Sequence, residues 1–496
     1  MRWGFIGIDC GTQSTKALVV DAESGAVIAR GRSPHDLIAR TDGTREQEPA
    51  WWTAATIRAV REAVAGAGSV EIAGIGVSGQ QHGLVALDAA DRPVRPAKLW
   101  NDTTTAAQCD ALTAALGGQQ RVLERLGNLF LPGYTAPKVA WLRDNEPAVY
   151  RASVRFCLPH DYLNLWLTGE FATEPGDASG TAYLDVRERR YAGEVLDALD
   201  SARDWSTALP SVVPSLSVVG RLRSEAAEAL GLPAGIPVSA GGGDNMCAAI
   251  GSGAVVEGRV VMSLGTSGTV FARSDAPAID PLGEAAAFCD SAGGWLPLAC
   301  TLNCTNATDW VRGLLGLDHG GFEQALAEAA PGADGLTFLP YLDGERTPNL
   351  PGADARFVGL RVDHGPAEMV RAVTEGVTFG MAYALDALRR TGVAPTDIVL
   401  VGGGAASVAW GQMCADILEL PVRRAVEVDA AALGAAMQAR AVIGGAGLAI
   451  DIETDRNWQP NPTPELRAAA IRAAALRESA IGDFTGLRQP AEPVHA

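Results

Sequence analysis

The fold is decided by IGIDCGTQSTKALVVD, residues 6–21, because a similar stretch, VVMSLGTSGTVFARS, follows at residues 260–274. When Gly11 is aligned on Gly265, the same offset of 254 residues also aligns the threonines that follow them. In both stretches a short apolar run enters a Gly-Thr turn and a second apolar run leaves it, which predicts a β-hairpin. Backbone amides and hydroxyl groups at such a tip can bind phosphate oxygens without a lysine.

Two copies of this hairpin predict two similar α/β domains, each of which offers one turn to a shared ligand. One copy alone would be compatible with an ordinary glycine-containing hairpin. The copies differ in charge, because Asp9 precedes the first turn whereas Ser263 precedes the second. One carboxylate is what a single magnesium–nucleotide complex requires. The alternative for Asp9 is a structural Asx turn with the backbone around Gly11.

The composition excludes several classes of protein. A chain of 496 residues predicts two or three domains, and a net charge of −18 without any basic run argues against nucleic acid as a partner. The absence of a Gly-Lys pair excludes a P-loop. No uninterrupted apolar stretch approaches ~18 residues, so we expect no membrane span. The absence of a signal-peptide pattern and the scattered spacing of the eight cysteines predict a cytoplasmic protein with reduced thiols.

β-like and helical segments alternate in both halves of the chain. Apolar spacing predicts helices at 52–65, 104–126, 137–151, 305–316, 321–330, 366–391 and 463–482. GIGVSG, residues 74–79, fits a dinucleotide-binding fingerprint, but a β-like run follows it instead of a helix, so we reject that interpretation. DIVLVGGGAASVAWGQMCADIL, residues 397–418, predicts a strand, a glycine turn and a helix. Such a turn is either a nucleotide site or a tight connection.

The stretch VSAGGGDNMCAAIG, residues 238–251, places one carboxylate, Asp244, at the start of a helix-like run. A structural role for Asp244 would be to cap this helix. A catalytic role would be that of a base, with the three glycines allowing a substrate or phosphate close to the backbone. Because a helix N-terminus favours negative charge, we expect Asp244 to be ionised at neutral pH.

Taken together, these segments resemble the FGGY carbohydrate kinases of the actin, hexokinase and heat-shock chaperone ATPase superfamily, through most of the chain. GYTAPKVAWLRDN (133–145) matches one family signature, and ARFVGLRVDHGPAEMVRAVTE (355–375) nearly matches the other. More specific motifs resemble the branch that phosphorylates D-xylulose, and they are GQQHG (79–83), LWND (99–102), LPHDYL (158–163), GGGDN (241–245) and LPYLDGERTPN (339–349). One position departs from that branch, because Gln81 stands where methionine is common.

The resemblance implies an α/β fold with two actin-like, ribonuclease H-like ATPase domains around a central cleft. The N-terminal domain would span residues 1–245 and contain the sugar site and the first phosphate motif. The C-terminal domain would span 246–450 and contain the second phosphate motif and the adenosine motif. A helical tail, 451–496, would pack on the C-terminal domain.

The resemblance also implies a role for each candidate site residue. Asp244 would be the base that accepts the proton of the attacking sugar hydroxyl, and Asp9 would hold Mg²⁺ through water. The residues implied in sugar binding are Gln81, His82, Asn101, Asp102, Asp244 and Asn245. The residues implied in ATP binding are Gly11, Thr12, Gly265, Thr266, Ser267, Trp310, Gly402, Gly403 and Gly404. The alternatives are a core histidine for His82 and structural packing for Trp310, which we expect at the opening of a helix.

The implied activity is the ATP-dependent phosphorylation of D-xylulose to D-xylulose 5-phosphate by a cytoplasmic homodimer. Its partners would be the sugar and ATP, with neither nucleic acid nor a membrane. Other acceptors within the family are L-ribulose, L-fuculose and a polyol such as glycerol. A non-catalytic nucleotide clamp or sugar sensor of the same fold is the alternative outside catalysis. A clamp needs the two phosphate turns but neither Asp244 nor the GQQHG motif.

Overall fold

A computed structural model describes residues 2–449 and 452–487. The strands in these ranges are β1 Arg2–Cys10, β2 Ser14–Asp21, β3 Val27–Pro34, β4 Ile38–Ala39, β5 Arg45–Gln47, β6 Val70–Gly79, β7 Val85–Leu87, β8 Ala97–Lys98, β9 Arg155–Cys157, β10 Ala172–Thr173, β11 Leu184–Asp185, β12 Arg190–Tyr191, β13 Ser211–Val212, β14 Val218–Arg221, β15 Pro237–Ser239, β16 Gly242–Gly243, β17 Arg259–Leu264, β18 Gly268–Ala272, β19 Ala286–Cys289, β20 Trp295–Thr301, β21 Thr337–Leu339, β22 Arg356–Val358, β23 Asp397–Val401, β24 Val422–Ala425 and β25 Thr454–Trp458.

The α-helices in the same ranges are α1 Pro49–Ala67, α2 Ala106–Ala115, α3 Gln119–Leu126, α4 Thr135–Asn145, α5 Pro147–Ala152, α6 Pro159–Thr168, α7 Pro175–Ala178, α8 Gly193–Asp200, α9 Trp205–Ala208, α10 Ser224–Leu230, α11 Asp244–Gly251, α12 Thr305–Leu314, α13 His319–Glu328, α14 Pro366–Arg390, α15 Val408–Leu418, α16 Ala430–Gly444 and α17 Pro464–Leu487. Short 3₁₀ helices lie at Ser179–Thr181, Ala333–Gly335 and Gly403–Ala406. Within the described residues, none of these helices combines the length and apolar character that a membrane span needs.

The described chain forms two compact units that are interleaved along the sequence. The first unit contains residues 2–256, 273–297 and 429–449, and the second contains 257–272, 298–428 and 452–487. The return of the chain to the first unit has a physical reason, since the alanine-rich helix α16 packs on β1 and β6 of that unit. The domain limits inferred from the sequence stay a prediction.

The first unit is built on a sheet with the strand order β14-β15-β6-β1-β2-β3. β1 pairs antiparallel with β2 and parallel with β6, so the predicted first hairpin is confirmed. Ile6 and Ile8 of β1 join the core that α1 covers, whereas Phe5 faces α16. Gly7 allows this close helix, because a Cβ there would lie 1.9 Å from the carbonyl oxygen of Ala432.

The sheet of the second unit contains the strand order β20-β18-β17-β23-β24-β25. β17 pairs antiparallel with β18 and parallel with β23, as β1 does with β2 and β6. The correspondence extends to the sheet edges, where β24 runs parallel to β23 and β25 antiparallel to β24. β15 and β14 have the same relations in the first unit. The repeat predicted from two short motifs is therefore a repeat of strand topology.

The predicted helices are present, but two of them are interrupted. The segment 104–126 forms α2 and α3, because Gly117 and Gly118 between them have φ values of 88° and 103°. The segment 137–151 lies across α4 and α5, and Pro147 starts the second helix. In the tail, α17 belongs to the second unit, and its Leu466 and Ala469 share a hydrophobic cluster with Phe379 of α14. Every cysteine is free, and all except the half-buried Cys300 are buried.

Candidate active site

The first turn joins β1 to β2 and carries Asp9 at its strand end, opposite Lys16. The Asp9 side chain is 7% exposed and accepts a hydrogen bond of 3.1 Å from the Ser78 hydroxyl of β6. This contact differs from the Asx turn that was the structural alternative. Burial raises the pKa of Asp9, although the charge of Lys16 and the hydrogen bond from Ser78 lower it. Asp9 is therefore a buried carboxyl that a cation would stabilise.

The tip of this turn is fixed by two side chains that lie in quoted motifs but were not among the candidate site residues. Gly11 donates its backbone N–H to the Ser14 carbonyl at 3.2 Å, which closes the turn. The Thr12 hydroxyl donates to Gln80 Oε1 at 3.2 Å and accepts from Trp100 Nε1 at 3.0 Å. Gln80 precedes the Gln-His pair, and Trp100 precedes the Asn-Asp pair. The first phosphate turn is thus hydrogen-bonded to both segments proposed for sugar binding.

Gln81 and Asn245 come together at the end of β6. Gln81 Oε1 accepts a hydrogen bond of 2.8 Å from Asn245 Nδ2. The Gln81 side chain is 3% exposed, and its Nε2 has no hydrogen-bond partner among the described residues. A buried amide without an acceptor costs about 1–3 kcal/mol, so this N–H is suited to a ligand oxygen.

His82 follows in the left-handed backbone region, at φ 65°. Its carbonyl accepts hydrogen bonds from Lys138 Nζ at 2.6 Å and from the Thr135 hydroxyl at 3.2 Å. Its ring packs against Tyr134 and Phe288, with centroid distances of 4.6 and 5.6 Å. Lys138, which is fully buried, thus holds the backbone of His82, a residue proposed to bind the sugar. The scarcity of lysine, with only three in the chain, was the signal that could have identified it.

Asn101 and Asp102 differ in what they offer a ligand. Asp102 is fully buried, and its carboxylate accepts hydrogen bonds from Lys98 Nζ at 2.9 Å, from the Arg45 backbone at 2.9 Å and from Thr104. Burial alone raises its pKa, but these hydrogen bonds together lower it. These contacts give Asp102 a structural role, which is to hold its loop in place. By contrast, Asn101 Oδ1 is a buried acceptor with no hydrogen-bond partner among the described residues.

Asp244 is the first residue of α11, and Gly243 is the residue that caps the helix. The half-buried carboxylate accepts hydrogen bonds from the backbone and the side-chain amide of Asn245, at 2.8 and 3.1 Å. Burial, followed by the charges of Asp9 and Asp177, raises the pKa of Asp244 to about 7. Burial and the two nearby carboxyls therefore oppose the effect of the helix N-terminus, and the ionised state expected from the sequence stays a prediction.

The second turn joins β17 to β18 in the second unit. It contains Gly265, Thr266 and Ser267, and Thr266 is exposed. Backbone N–H groups at the start of α12 support it, since Thr305 donates to the Gly265 carbonyl at 2.9 Å. This turn has backbone and hydroxyl donors at its tip and no carboxylate.

The glycines of the predicted adenosine motif lie beside the second turn. Gly402 has a φ of 87°, and a Cβ there would lie 2.8 Å from the carbonyl oxygen of Leu264, the residue before the turn. Gly402 and Gly403 are exposed, and Gly404 is half-buried. The second unit therefore brings the second phosphate motif and the adenosine motif together.

Trp310 does not open its helix as expected. α12 begins at Thr305, so Trp310 lies in its second turn. Its ring stacks on Phe338 at a centroid distance of 5.8 Å and lies 6.4 Å from Phe357, and 38% of the side chain is exposed. These contacts support packing, and the exposed edge leaves a nucleotide contact as a prediction.

Comparisons with known proteins show the family to which the chain belongs. Residues 5–251 match the N-terminal domain of the FGGY family of carbohydrate kinases, and residues 260–442 match its C-terminal domain. A xylulose kinase of Haemophilus influenzae is 44% identical over 442 residues, 88% of this chain and 90% of that protein. A xylulose kinase of Streptomyces coelicolor is 42% identical, over 99% of this chain and 96% of that one.

The solved structures give the same answer for the fold. The crystal structure of a xyloylose kinase from Brucella ovis matches with a TM-score of 0.90 at 33% identity, covering 98% of this chain and all of the other. The predicted fold class is confirmed.

Proposed function

The chain belongs to the FGGY family of carbohydrate kinases, and we propose that it transfers the γ-phosphate of ATP to the 5-hydroxyl of D-xylulose. The observation that carries the proposal is the position of Asp244. Its carboxylate stands at the start of α11, beside Asn245 and Gln81, and is influenced by the charge of Asp9. The xylulose kinases that are 42–44% identical over most of the chain support the choice of acceptor.

Asp244 would orient the sugar hydroxyl and accept its proton. A base works best when its pKa is near the working pH, and the pKa of Asp244 is about 7. Because phosphoryl transfer is largely dissociative, the proton needs to move only late in the reaction. The main task of the carboxylate is therefore to hold the hydroxyl oxygen in line with the phosphorus atom.

The sugar would satisfy buried groups that the protein leaves unpaired. Gln81 Nε2 can donate to a sugar oxygen, and Asn101 Oδ1 can accept from a sugar hydroxyl. His82 and Asn245 would complete the contacts from their positions beside Gln81. A site built to pair hydroxyl groups rejects a sugar that lacks one of them, because the protein group is then left unsatisfied. Asp102 would act mainly by holding the loop that carries Asn101.

The residues proposed for ATP and Mg²⁺ are of the expected type. Asp9 would hold Mg²⁺ through water, since Mg²⁺ typically binds one or two carboxylates and keeps several waters. The fit rests on Asp9 itself, a buried carboxyl whose negative charge also raises the pKa of Asp244. Bound Mg²⁺ would neutralise charge on the phosphates. The proposed ATP contacts are Gly11, Thr12, Gly265, Thr266, Ser267, Trp310, Gly402, Gly403 and Gly404.

An ADP-release assay across a panel of sugars tests this function. We expect D-xylulose to give the highest kcat/KM among D-xylulose, L-ribulose, L-fuculose and glycerol, and to accelerate ATP turnover well above the rate without sugar. A higher value for another sugar would reassign the acceptor within the family. Equal ATP turnover with and without every sugar would instead favour a nucleotide clamp. Homodimeric assembly and a cytoplasmic location stay predictions.

A further inference from the structure

A buried polar cluster lies outside the residues proposed for sugar and ATP. It consists of His160 and Asp161 at the start of α6 and of Glu174 and Asp177 at α7, and each side chain is at most 1% exposed. His160 Nδ1 lies 3.2 Å from an oxygen of Asp161 and 3.3 Å from an oxygen of Asp177. Burying charged groups costs free energy unless the groups are paired. We therefore expect the cluster to have a function.

The imidazole ring of His160 connects these carboxylates to the glycine turn before Asp244. Its Nε2 lies 2.6 Å from the carbonyl oxygen of Ala240, which also accepts from Asn164 Nδ2 at 2.9 Å. Nε2 also lies 3.0 Å from the Asn164 amide nitrogen, and Nδ1 lies close to both carboxylates without a hydrogen bond to either among the described residues. Burial alone lowers the pKa of His160, but the two neighbouring carboxylates outweigh burial and raise it well above its ordinary value.

The three glycines 241–243 lie against the same cluster. A Cβ added to Gly241 would lie 3.0 Å from His160 Nε2. A Cβ on Gly242 would lie 3.2 Å from Glu174 Oε1, and one on Gly243 would lie 2.9 Å from Asp177 Oδ1. The first and second would also meet atoms at 2.1 and 2.0 Å, the Val77 carbonyl and the Ser291 hydroxyl. The glycines thus let the backbone pack directly on these buried groups.

Glu174 and Asp177 have different surroundings. Glu174 accepts hydrogen bonds from the backbone of Gly176 and Asp177, at 2.8 and 2.6 Å, and from the hydroxyls of Ser215 and Ser291. Its carboxylate is therefore committed to holding the start of α7. Asp177, by contrast, directs Oδ2 to His160 and has Oδ1 beside Gly243, the residue that precedes Asp244.

We propose that His160 and Asp177 are positioning residues for Asp244. The His160 ring holds the Ala240 carbonyl, and Asp177 packs against Gly243, so that the turn presents the Asp244 carboxylate in one orientation. This inference rests on the proposed role of Asp244. The negative charge of Asp177 also lies close enough to contribute to the raised pKa of Asp244.

The charges around the pair are defined. Burial raises the pKa of Asp177 to about 7, and the charges of Asp161 on α6 and Glu174 before α7 add to this, whereas the close contact and charge of His160 lower it. Asp9 faces Asp244 from β1. Asp177→Asn removes the ionised form of this carboxyl and leaves Asp9 as the acidic neighbour of Asp244, so the pKa of Asp244 should fall.

Asp177→Asn tests the proposal, because it keeps the shape of the side chain and removes its charge. We expect kcat to fall about tenfold or more, since small misplacements of a reacting group are costly, while KM for both substrates changes less than about threefold. We also expect the acid limb of the kcat/KM profile to move to lower pH. Glu375→Gln, which removes a buried carboxyl of α14 that Arg371 pairs, is the control and should keep the wild-type profile.

A folded Asp177→Asn protein with wild-type kcat and an unmoved acid limb would overturn the proposal. A second measurement needs no substitution: ¹⁵N-histidine NMR of the wild-type protein, with six histidines to assign. We expect one buried ring with protons on both nitrogens at pH 8, and a neutral ring at His160 would contradict the charge pair. An active Asp244→Asn enzyme would refute the role of Asp244, whereas an inactive one with a wild-type Asp177→Asn enzyme would refute only this inference.

Discussion

The two units share one strand topology and use it for different chemistry. Both place an antiparallel hairpin beside a parallel strand, β1–β2 beside β6 and β17–β18 beside β23. The first hairpin has a buried carboxyl, Asp9, where the second has Ser263. The hydroxyl of Thr12 is bound by side chains, whereas backbone groups of Thr266 and Gly265 are bound by the start of α12. The strand topology therefore repeats the Gly-Thr turn in both units, whereas a single residue, Asp9 or Ser263, decides whether the turn carries a carboxylate.

The parallel strands beside the hairpins differ in the same way. β6 leads into GQQHG, with a buried amide that lacks a partner in the described part of the chain, and β23 leads into exposed glycines. Glycines at Gly402 and Gly403 leave room for a flat ring to approach the backbone. Gln81 and His82 are instead proposed to recognise sugar hydroxyls. We therefore propose that the first unit selects the sugar and that the second contacts adenosine.

The largest effect should come from removing Asp244, the proposed base of the first unit. Asp244→Ala is expected to lower kcat about 10³-fold, because positioned bases contribute about 10²–10⁴-fold. The Kd for ATP should change less than about twofold, as measured by calorimetry. Asp386→Ala, at an exposed acid of α14, is the matched control. Preserved turnover with weakened ATP binding would assign Asp244 a structural role.

The next effect distinguishes the two turns directly. Asp9→Asn should lower kcat/KM for ATP about 10²-fold and raise the Mg²⁺ concentration that gives half-maximal activity, because the carboxylate proposed to hold Mg²⁺ is lost. Ser263→Ala, at the matching position, should change both values less than about threefold. Titration of activity with Mg²⁺ in both variants measures this. Similar losses in the two variants would mean that the turns are functionally equivalent.

The pH dependence of kcat/KM should report the ionisation of Asp244. Because the pKa of Asp244 is raised to about 7 and the reaction needs the carboxylate, kcat/KM should fall about tenfold for each pH unit below about 7. Above that pH it should be constant. A profile that stays flat down to pH 5 would show that Asp244 is ionised throughout, as a helix N-terminus alone would make it.

A smaller effect should follow from loosening the first turn. Trp100→Phe removes the N–H that Thr12 accepts and keeps a large ring. A neutral hydrogen bond contributes about 1 kcal/mol, so KM for ATP should rise about threefold to fivefold with little change in kcat. A second variant, Phe338→Leu, removes the ring on which Trp310 stacks in the second unit and so tests the role of Trp310. An unchanged KM in Trp100→Phe would show that the Thr12 hydroxyl needs no support from this residue.

The smallest effect concerns stability. An acid whose pKa is raised by folding stabilises the fold when protonated, and this contribution is lost as pH rises from about 4 through about 7. At pH 8 the free energy of unfolding of Asp244→Asn should therefore exceed that of the wild type by about 1 kcal/mol, once the partial exposure of the side chain is allowed for. The variant should accordingly unfold at a higher denaturant concentration. At pH 4 the two proteins should be equal. Lower stability of the variant at pH 8 would contradict the raised pKa.

The repeated hairpins predicted two similar α/β domains, because a Gly-Thr turn between apolar runs constrains the backbone locally, whereas the actin-like fold class came from the resemblance of the longer motifs. The interleaving of the units was not predictable in this way. It depends on α16 packing against Gly7, a contact between segments more than 400 residues apart. The interruption at Gly117 and Gly118 could have been predicted, since paired glycines disfavour a helix.

The site was predictable where short motifs carry it, as at Gln81 and Asn245, which the fold places in hydrogen-bond contact. The raised pKa of Asp244 was not predictable, because it depends on burial and on Asp9 and Asp177, which are distant in sequence. His160 lies in a quoted motif, but its contact with the Ala240 carbonyl has no sequence signal. Polar clusters of this kind become visible only when the tertiary structure brings their segments together.

The most direct test is a crystal structure with D-xylulose and a non-hydrolysable ATP analogue, in which the distance between the Asp244 carboxylate and the 5-hydroxyl oxygen is measured. The account predicts a hydrogen bond of about 2.6–3.2 Å. A sugar bound elsewhere, with the Asp244 carboxylate still engaged only by the amides around it, would contradict the account.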